Sequence, residues 1–106
     1  MDSEKKFTVI AKRWFDKVNG NTYHSVRVIR LKDNRQISQG FTYGYGDHYR
    51  QTALGLMGAN GWLPEKYNPK PGFNNTWYRY ERDNDYPINW DCSDGLESEL
   101  TENAKL

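Results

Sequence analysis

Two histidines, one cysteine and a group of closely spaced carboxylates are the residues of this chain that could do chemistry. A cysteine nucleophile acts as a thiolate beside a base. The only imidazoles, His24 and His48, stand far from Cys92, and no motif ties either one to it. His24 sits mid-strand beside a basic run and His48 at a helix start, and nothing in either setting favours general acid–base work. Serine-hydrolase signatures are absent. Asp83, Asp85, Asp91 and Asp94 fall within twelve residues. A calcium loop begun at Asp83 has Ile88 where glycine is required and Pro87 where a ligand is required. One cysteine and two distant histidines lack the spacing of a self-contained zinc motif. The turn Gly44-Tyr45-Gly46 invites a phosphate-loop reading, but Tyr49 stands where a dinucleotide fingerprint has its third glycine. Asp47 also places negative charge where the phosphate would sit. The expectation is a non-enzymatic protein with no metal and no cofactor.

What remains is a surface. Lys12, Trp14, Tyr23, Arg27 and Ile29 share the outer face of a sheet if the strands pair as described below, with Arg13, Arg30 and Arg35 at its edges. Lys12, Trp14, Tyr23, Arg27 and Arg30 form the candidate binding face. Interleaved cations and rings suit single-stranded nucleic acid, because the cations neutralise phosphate and each base stack contributes ~1–3 kcal/mol. Such binding is salt-dependent and weakens on Lys12→Ala or Arg27→Ala. Two other occupants compete for the face: a protein partner, or the chain's own acidic tail and later aromatics. The placement of residues 76–92 decides between an open and a covered face.

The element that organises these strands is the stretch Phe41–Pro64. Tyr49, Ala53, Leu56 and Met57 recur at helical spacing, with Asp47 as the N-cap and Asn60-Gly61 as the stop. Gly55 and Gly58 flatten the opposite side of that helix, each costing roughly 1 kcal/mol relative to alanine. Ahead of it, residues 6–15, 22–31 and 36–43 read as strands joined by Asn19-Gly20 and Asp33-Asn34 turns. Their inward sets are Phe7, Val9, Ala11, then Val26, Val28, then Ile37, Phe41, Tyr43, and the helix covers the last two sets together with Val9. Residues 65–75 read as a loop, 76–82 as a fourth strand, and 83–94 as irregular chain anchored by Tyr86, Ile88 and Trp90. The fold class is α+β: a small antiparallel sheet of three to four strands with one helix on one face, in the order β-β-β-α-β. Residues 1–92 form a single domain, and residues 93–106 an acidic, frayed tail.

The composition agrees with this. A chain of 106 residues is one domain with a modest core. Hydrophobic residues make up 36%, but the aromatic share of 15% supplies large rings to fill that core. Mean hydropathy is −1.03 and no apolar run approaches the ~20 residues of a membrane span. A single cysteine and a start without a signal-like apolar region lead to the expectation of a cytoplasmic protein, in which the Asn74-Asn75-Thr76 sequon carries no meaning. Charge is unevenly spread. Residues 1–70 hold twelve Lys/Arg against six Asp/Glu, and residues 71–106 three against eight. A basic body with an acidic tail implies tail-on-body attraction or an anionic partner.

Three segments, Lys12-Arg13-Trp14-Phe15-Asp16, Gly20-Asn21-Thr22-Tyr23-His24-Ser25-Val26 and Phe41-Thr42-Tyr43-Gly44-Tyr45-Gly46, resemble small uncharacterised proteins encoded by tailed bacteriophages. The likeness covers roughly residues 7–63. It implies no activity and no site residues, only a setting: expression inside a bacterial host, from a genome rich in small proteins that act by binding. The combined expectation is an accessory protein that binds and modulates a host protein or nucleoprotein complex, of the takeover or anti-defence kind. The alternative is a sheet-face nucleic-acid-binding domain.

Overall fold

A computed structural model describes residues 5–67 and 76–105 of the chain. The loop expected over 65–75 begins with a single 3-10 turn at Glu65–Tyr67, and its remainder, with the Asn-Asn-Thr sequon, lies outside the described residues.

Strand β1 (Phe7–Asp16) pairs antiparallel with β2 (Asn21–Arg30), and β2 with β3 (Arg35–Tyr43). The first hairpin is closed by Asp16, whose carboxylate accepts the backbone N–H of Val18 at 3.0 Å, while Gly20 supplies a φ of 71°. The ladder aligns Val9 with Val28 and Ala11 with Val26, so the inward sets of these two strands coincide as expected. Helix α1 (His48–Ala59) lies on that face, burying Tyr49, Thr52, Ala53, Leu54 and Met57. Asp47 makes no side-chain capping bond, contrary to the expectation. The stop is built as anticipated: Gly61 has φ 71°, its N–H donates to the Gly58 carbonyl at 3.0 Å, and the Trp62 N–H reaches back to Met57 at 2.9 Å. This paired return of two N–H groups is the Schellman arrangement, and it turns Trp62 back toward the sheet.

Three expectations are corrected. Residues 76–82 are not a strand: Thr76–Asp83 is helix α2. The β-prone rings of Trp77 and Tyr80 are spaced i, i+3 with Glu81 at i+4, and these three residues form its buried face. The fourth strand is instead β4 (Ile88–Asp94), where Ile88, Trp90 and Cys92 turn inward beside Phe7, Val9 and Ala11. It pairs parallel with β1, so the sheet is mixed, ordered β3-β2-β1-β4, and not purely antiparallel. Third, the acidic tail does not fray. Glu97–Asn103 is helix α3, which contacts β1, β2 and β3 and fully buries Leu100. The protein is therefore α+β, a four-stranded mixed sheet with three helices. No helix among the described residues is long and apolar enough to cross a membrane.

The core cluster joins Phe7, Val9, Val26, Val28, Ala53, Leu54 and Met57 with Tyr67, Tyr80 and Ile88. Beside it, the Arg50 guanidinium lies 4.9 Å from the rings of both Trp77 and Trp90, bonding α1 to α2 and β4 by cation–π contact.

A candidate interface at the aromatic end of the sheet

A bulge in β3 decides what the outer face carries. Between His24 and Val26 the β2–β3 register slips, so Val26 faces Gln39 while His24 faces Thr42 and Tyr23 faces Tyr43. The extra residue reverses the side-chain alternation beyond Gln39. Ile37 remains packed on the core, but Phe41 and Tyr43 turn away from α1 and join Tyr23 on the opposite face. There Trp14 stacks on Tyr23 with centroids 6.1 Å apart, and Tyr23 meets Phe41 at 6.3 Å and Tyr43 at 5.8 Å. Tyr23 is the hub of a four-ring patch. Phe41 and Tyr43 remain 45% and 59% exposed, well above what a core role requires.

The five residues proposed from sequence do not stay together. Trp14 and Tyr23 share the patch. Lys12 lies two residues along the same face and donates to the Ser93 hydroxyl at 2.8 Å. Arg27 also lies on this face, but its guanidinium is committed to the end of α3: it donates to the carbonyls of Asn103 at 2.9 Å and Glu102 at 3.4 Å, and to that of Lys105. Arg30 belongs to the other side of the sheet. It pairs with Phe7 in the ladder, stacks its guanidinium 4.5 Å over Trp62 and binds Asp33 at 2.7 Å. Arg13, expected at the edge, clips the end of β4 to the turn before α1 through Asp94 at 3.0 Å and the Gly46 carbonyl at 3.0 Å.

Residues 76–92 place α2 on the core side and β4 at the sheet edge, and neither lies over Trp14 and Tyr23. The middle of the outer face is covered by α3. Asn103 donates to the Ile10 carbonyl at 3.0 Å and to the Ser25 hydroxyl at 3.2 Å, and Ser38 donates to the Ala104 carbonyl at 2.6 Å. Gly40, within the bulge, lies under the end of α3, where a Cβ would make an ordinary contact 3.6 Å from that of Ala104. The rings begin where α3 leaves off, toward the first hairpin. Beside the rings, a groove along Trp14 and Phe15 is lined by Asp94 and Leu96 and by the cations Arg13 and Lys17.

The nucleophile and the imidazoles are placed elsewhere. His24 is fully buried, with Nδ1 3.2 Å from the Gly44 carbonyl and Nε2 2.7 Å from the Thr52 hydroxyl. Burial lowers its pKa below 6.5 despite the Gly44 bond, with His48 and Arg13 adding to the drop. The neutral ring then donates from Nδ1 and accepts the Thr52 O–H at Nε2, fastening β2 to the start of α1. Cys92 faces the core side of β4, where burial pushes its thiol up and disfavours the thiolate. Among the described residues no three His, Cys, Asp or Glu side chains converge as metal ligands. Phe41 and Tyr43 were missed as site residues because a strand read at period 2 points them inward. The glycine at position 40, an interruption in an otherwise β-prone run, was the available signal of a bulge.

Compared with protein-family models, with curated proteins and with solved structures, the chain has no significant match.

Proposed function

We propose that this chain is a non-enzymatic binding protein of the phage-accessory kind, which attaches to a bacterial host protein through the rings of Trp14, Tyr23, Phe41 and Tyr43. One observation carries the reading: three rings gather around Tyr23 on an open sheet end, two of them about half exposed, without an apolar role in the core. Clustered aromatics of this kind supply most of the free energy in protein interfaces. The matching chemistry on the partner is an apolar surface that the rings can bury. Arg27, offered for phosphate contact, is instead bonded to the carbonyls at the end of α3.

The test is capture from nuclease-treated bacterial lysate with the wild-type chain, with Tyr43→Ser/Phe41→Ser, and with Val18→Ser as a control at the hairpin tip. A protein retained by wild type and Val18→Ser and lost by the double variant supports the reading. Equal recovery by all three removes it. So does a bound species that disappears after nuclease treatment.

A further inference from the structure

The opposite end of the sheet holds a site of the reverse charge. A cavity of about 580 Å³ opens there, and Lys5, Lys6, Arg30 and Lys32 line it with Trp62 and Tyr80. No carboxylate lines it among the described residues. The cations are held in place by the fold. The N–H groups of Lys6 and Phe7 both donate to the Pro87 carbonyl, at 2.7 and 3.3 Å, and the Leu31 N–H donates to the Lys6 carbonyl at 3.0 Å. Lys5 Nζ is fixed on the Tyr86 carbonyl at 2.8 Å. The helix stop at Gly61 delivers Trp62, whose ring stacks against Phe7 with centroids 6.1 Å apart. Asp33 and Glu81, next to the lining residues Lys32 and Tyr80, are turned to other partners. Asp33 is spent on Arg30 and Arg35, and Glu81 accepts from Trp90 Nε1 at 2.5 Å. Lys6 and Lys32 are exposed and have no side-chain partner among the described residues.

We infer that this cavity binds a nucleoside phosphate, with the phosphates on Lys6, Lys32 and Lys5 and the flat base against the wall formed by Trp62 and its neighbours. Its volume falls within the range of small-molecule sites, about 300–1,000 Å³. A cluster of cations with no carboxylate in the lining favours a multiply charged anion. An aromatic and apolar wall within the same cavity selects an anion that carries a ring. The ligand chemistry is shared by a free nucleotide and by the phosphorylated end of a strand. The site is independent of the ring patch, which lies at the other end of the sheet on the other face.

The experiment is titration calorimetry of the full chain with ADP, alongside adenosine, pyrophosphate and a 5′-phosphorylated trinucleotide. Saturable 1:1 binding of ADP with a dissociation constant below about 1 mM is expected, with adenosine and pyrophosphate each at least tenfold weaker. Lys6→Ala/Lys32→Ala, exposed substitutions that leave the fold intact, weaken ADP at least tenfold. In amide and indole NMR spectra ADP shifts Trp62 and Leu31 and leaves Trp14 and Tyr43 unmoved. Tighter binding of the trinucleotide than of ADP identifies a strand end as the source. The inference fails if ADP does not bind, if the double lysine variant binds it equally, or if pyrophosphate binds as tightly as ADP.

Discussion

The Arg27 guanidinium is bonded to the Asn103 carbonyl at 2.9 Å, across 76 positions of sequence. It also reaches the carbonyls of Glu102 and Lys105, so one cation from the middle of β2 satisfies the open C-terminal carbonyls of α3. A seven-residue helix with no side-chain N-cap has little stability of its own. Leu100 and Arg27 hold it on the sheet together with the Asn103 and Ser38 hydrogen bonds.

Arg27→Ala is therefore expected to release α3. Hydrogen bonds to a charged group contribute about 1.5–3 kcal/mol each where they are sheltered. The loss should lie in that range by chemical denaturation, and amide exchange of residues 97–105 should rise well above that of β1 and β2. Arg27→Lys recovers only part, since a single ammonium cannot serve three carbonyls in a fork. Exchange in 97–105 that is unchanged by Arg27→Ala would show that Leu100, Asn103 and Ser38 suffice to anchor the helix.

The first two strands and α1 were legible because their periodicities are local. Val9, Val26 and Val28 alternate cleanly, and Gly61 marks the helix stop. What escaped depended on distant partners. The inward turn of Ile88, Trp90 and Cys92 makes sense only beside Phe7, Val9 and Ala11, 81 positions earlier in the chain. The tail looked too polar to fold, yet Asn103 and Arg27 satisfy backbone and side-chain groups that composition alone leaves open. Of the candidate face, Trp14 and Tyr23 were placed correctly by strand alternation. Phe41 and Tyr43 were not, because one bulged residue inverts every position after it. Arg30 was drawn to the wrong side by its position at a strand end.

His24 makes the fold sensitive to mild acid. Burial holds its pKa below 6.5 in the native state. As pH falls through the unfolded value of about 6.5, the unfolded chain takes up a proton that the native chain refuses. Stability thus declines with falling pH until the native pKa is passed, and is unaffected by this group well above 6.5. His24→Gln, which keeps a polar bond to Thr52 within reach, should flatten the decline in urea midpoints between pH 7 and 5. A slope as steep as wild type would assign the decline to other groups.

Glu81 acts in the opposite sense. It is 3% exposed, and burial raises its pKa above 4.5 although Trp90, Lys5 and Arg50 pull it down. As pH rises above 4.5 the unfolded chain ionises first, so this carboxyl costs stability progressively until its native pKa is passed. Glu81→Gln keeps an oxygen for Trp90 Nε1 and cannot ionise. The variant should equal or exceed wild type at neutral pH and lose its advantage near pH 4. The two slopes have opposite signs, so wherever both groups titrate the variant should display the His24 slope more steeply than wild type. A large loss of stability at pH 7 would mean that the ionised carboxylate is needed by Arg50.

Gly44 joins these elements at one point. Its φ is 155°, and a Cβ on it would stand 2.6 Å from the His48 ring and 2.9 Å from the His48 Cβ. Contacts that short force a shift, and the near atoms include the base of the His48 side chain, which cannot swing away without moving the first turn of α1. The Gly44 carbonyl also accepts from His24, and the Gly44 N–H donates to the Thr22 carbonyl at 3.0 Å. Gly44→Ala should therefore cost about 2 kcal/mol or more, combining backbone strain with a weakened buried bond. The cost should shrink in His48→Gly, which removes the obstructing side chain, and it should persist in Tyr45→Ala, which does not. Equal costs of Gly44→Ala in the wild-type and His48→Gly backgrounds would show that backbone conformation, and not the imidazole, requires glycine here.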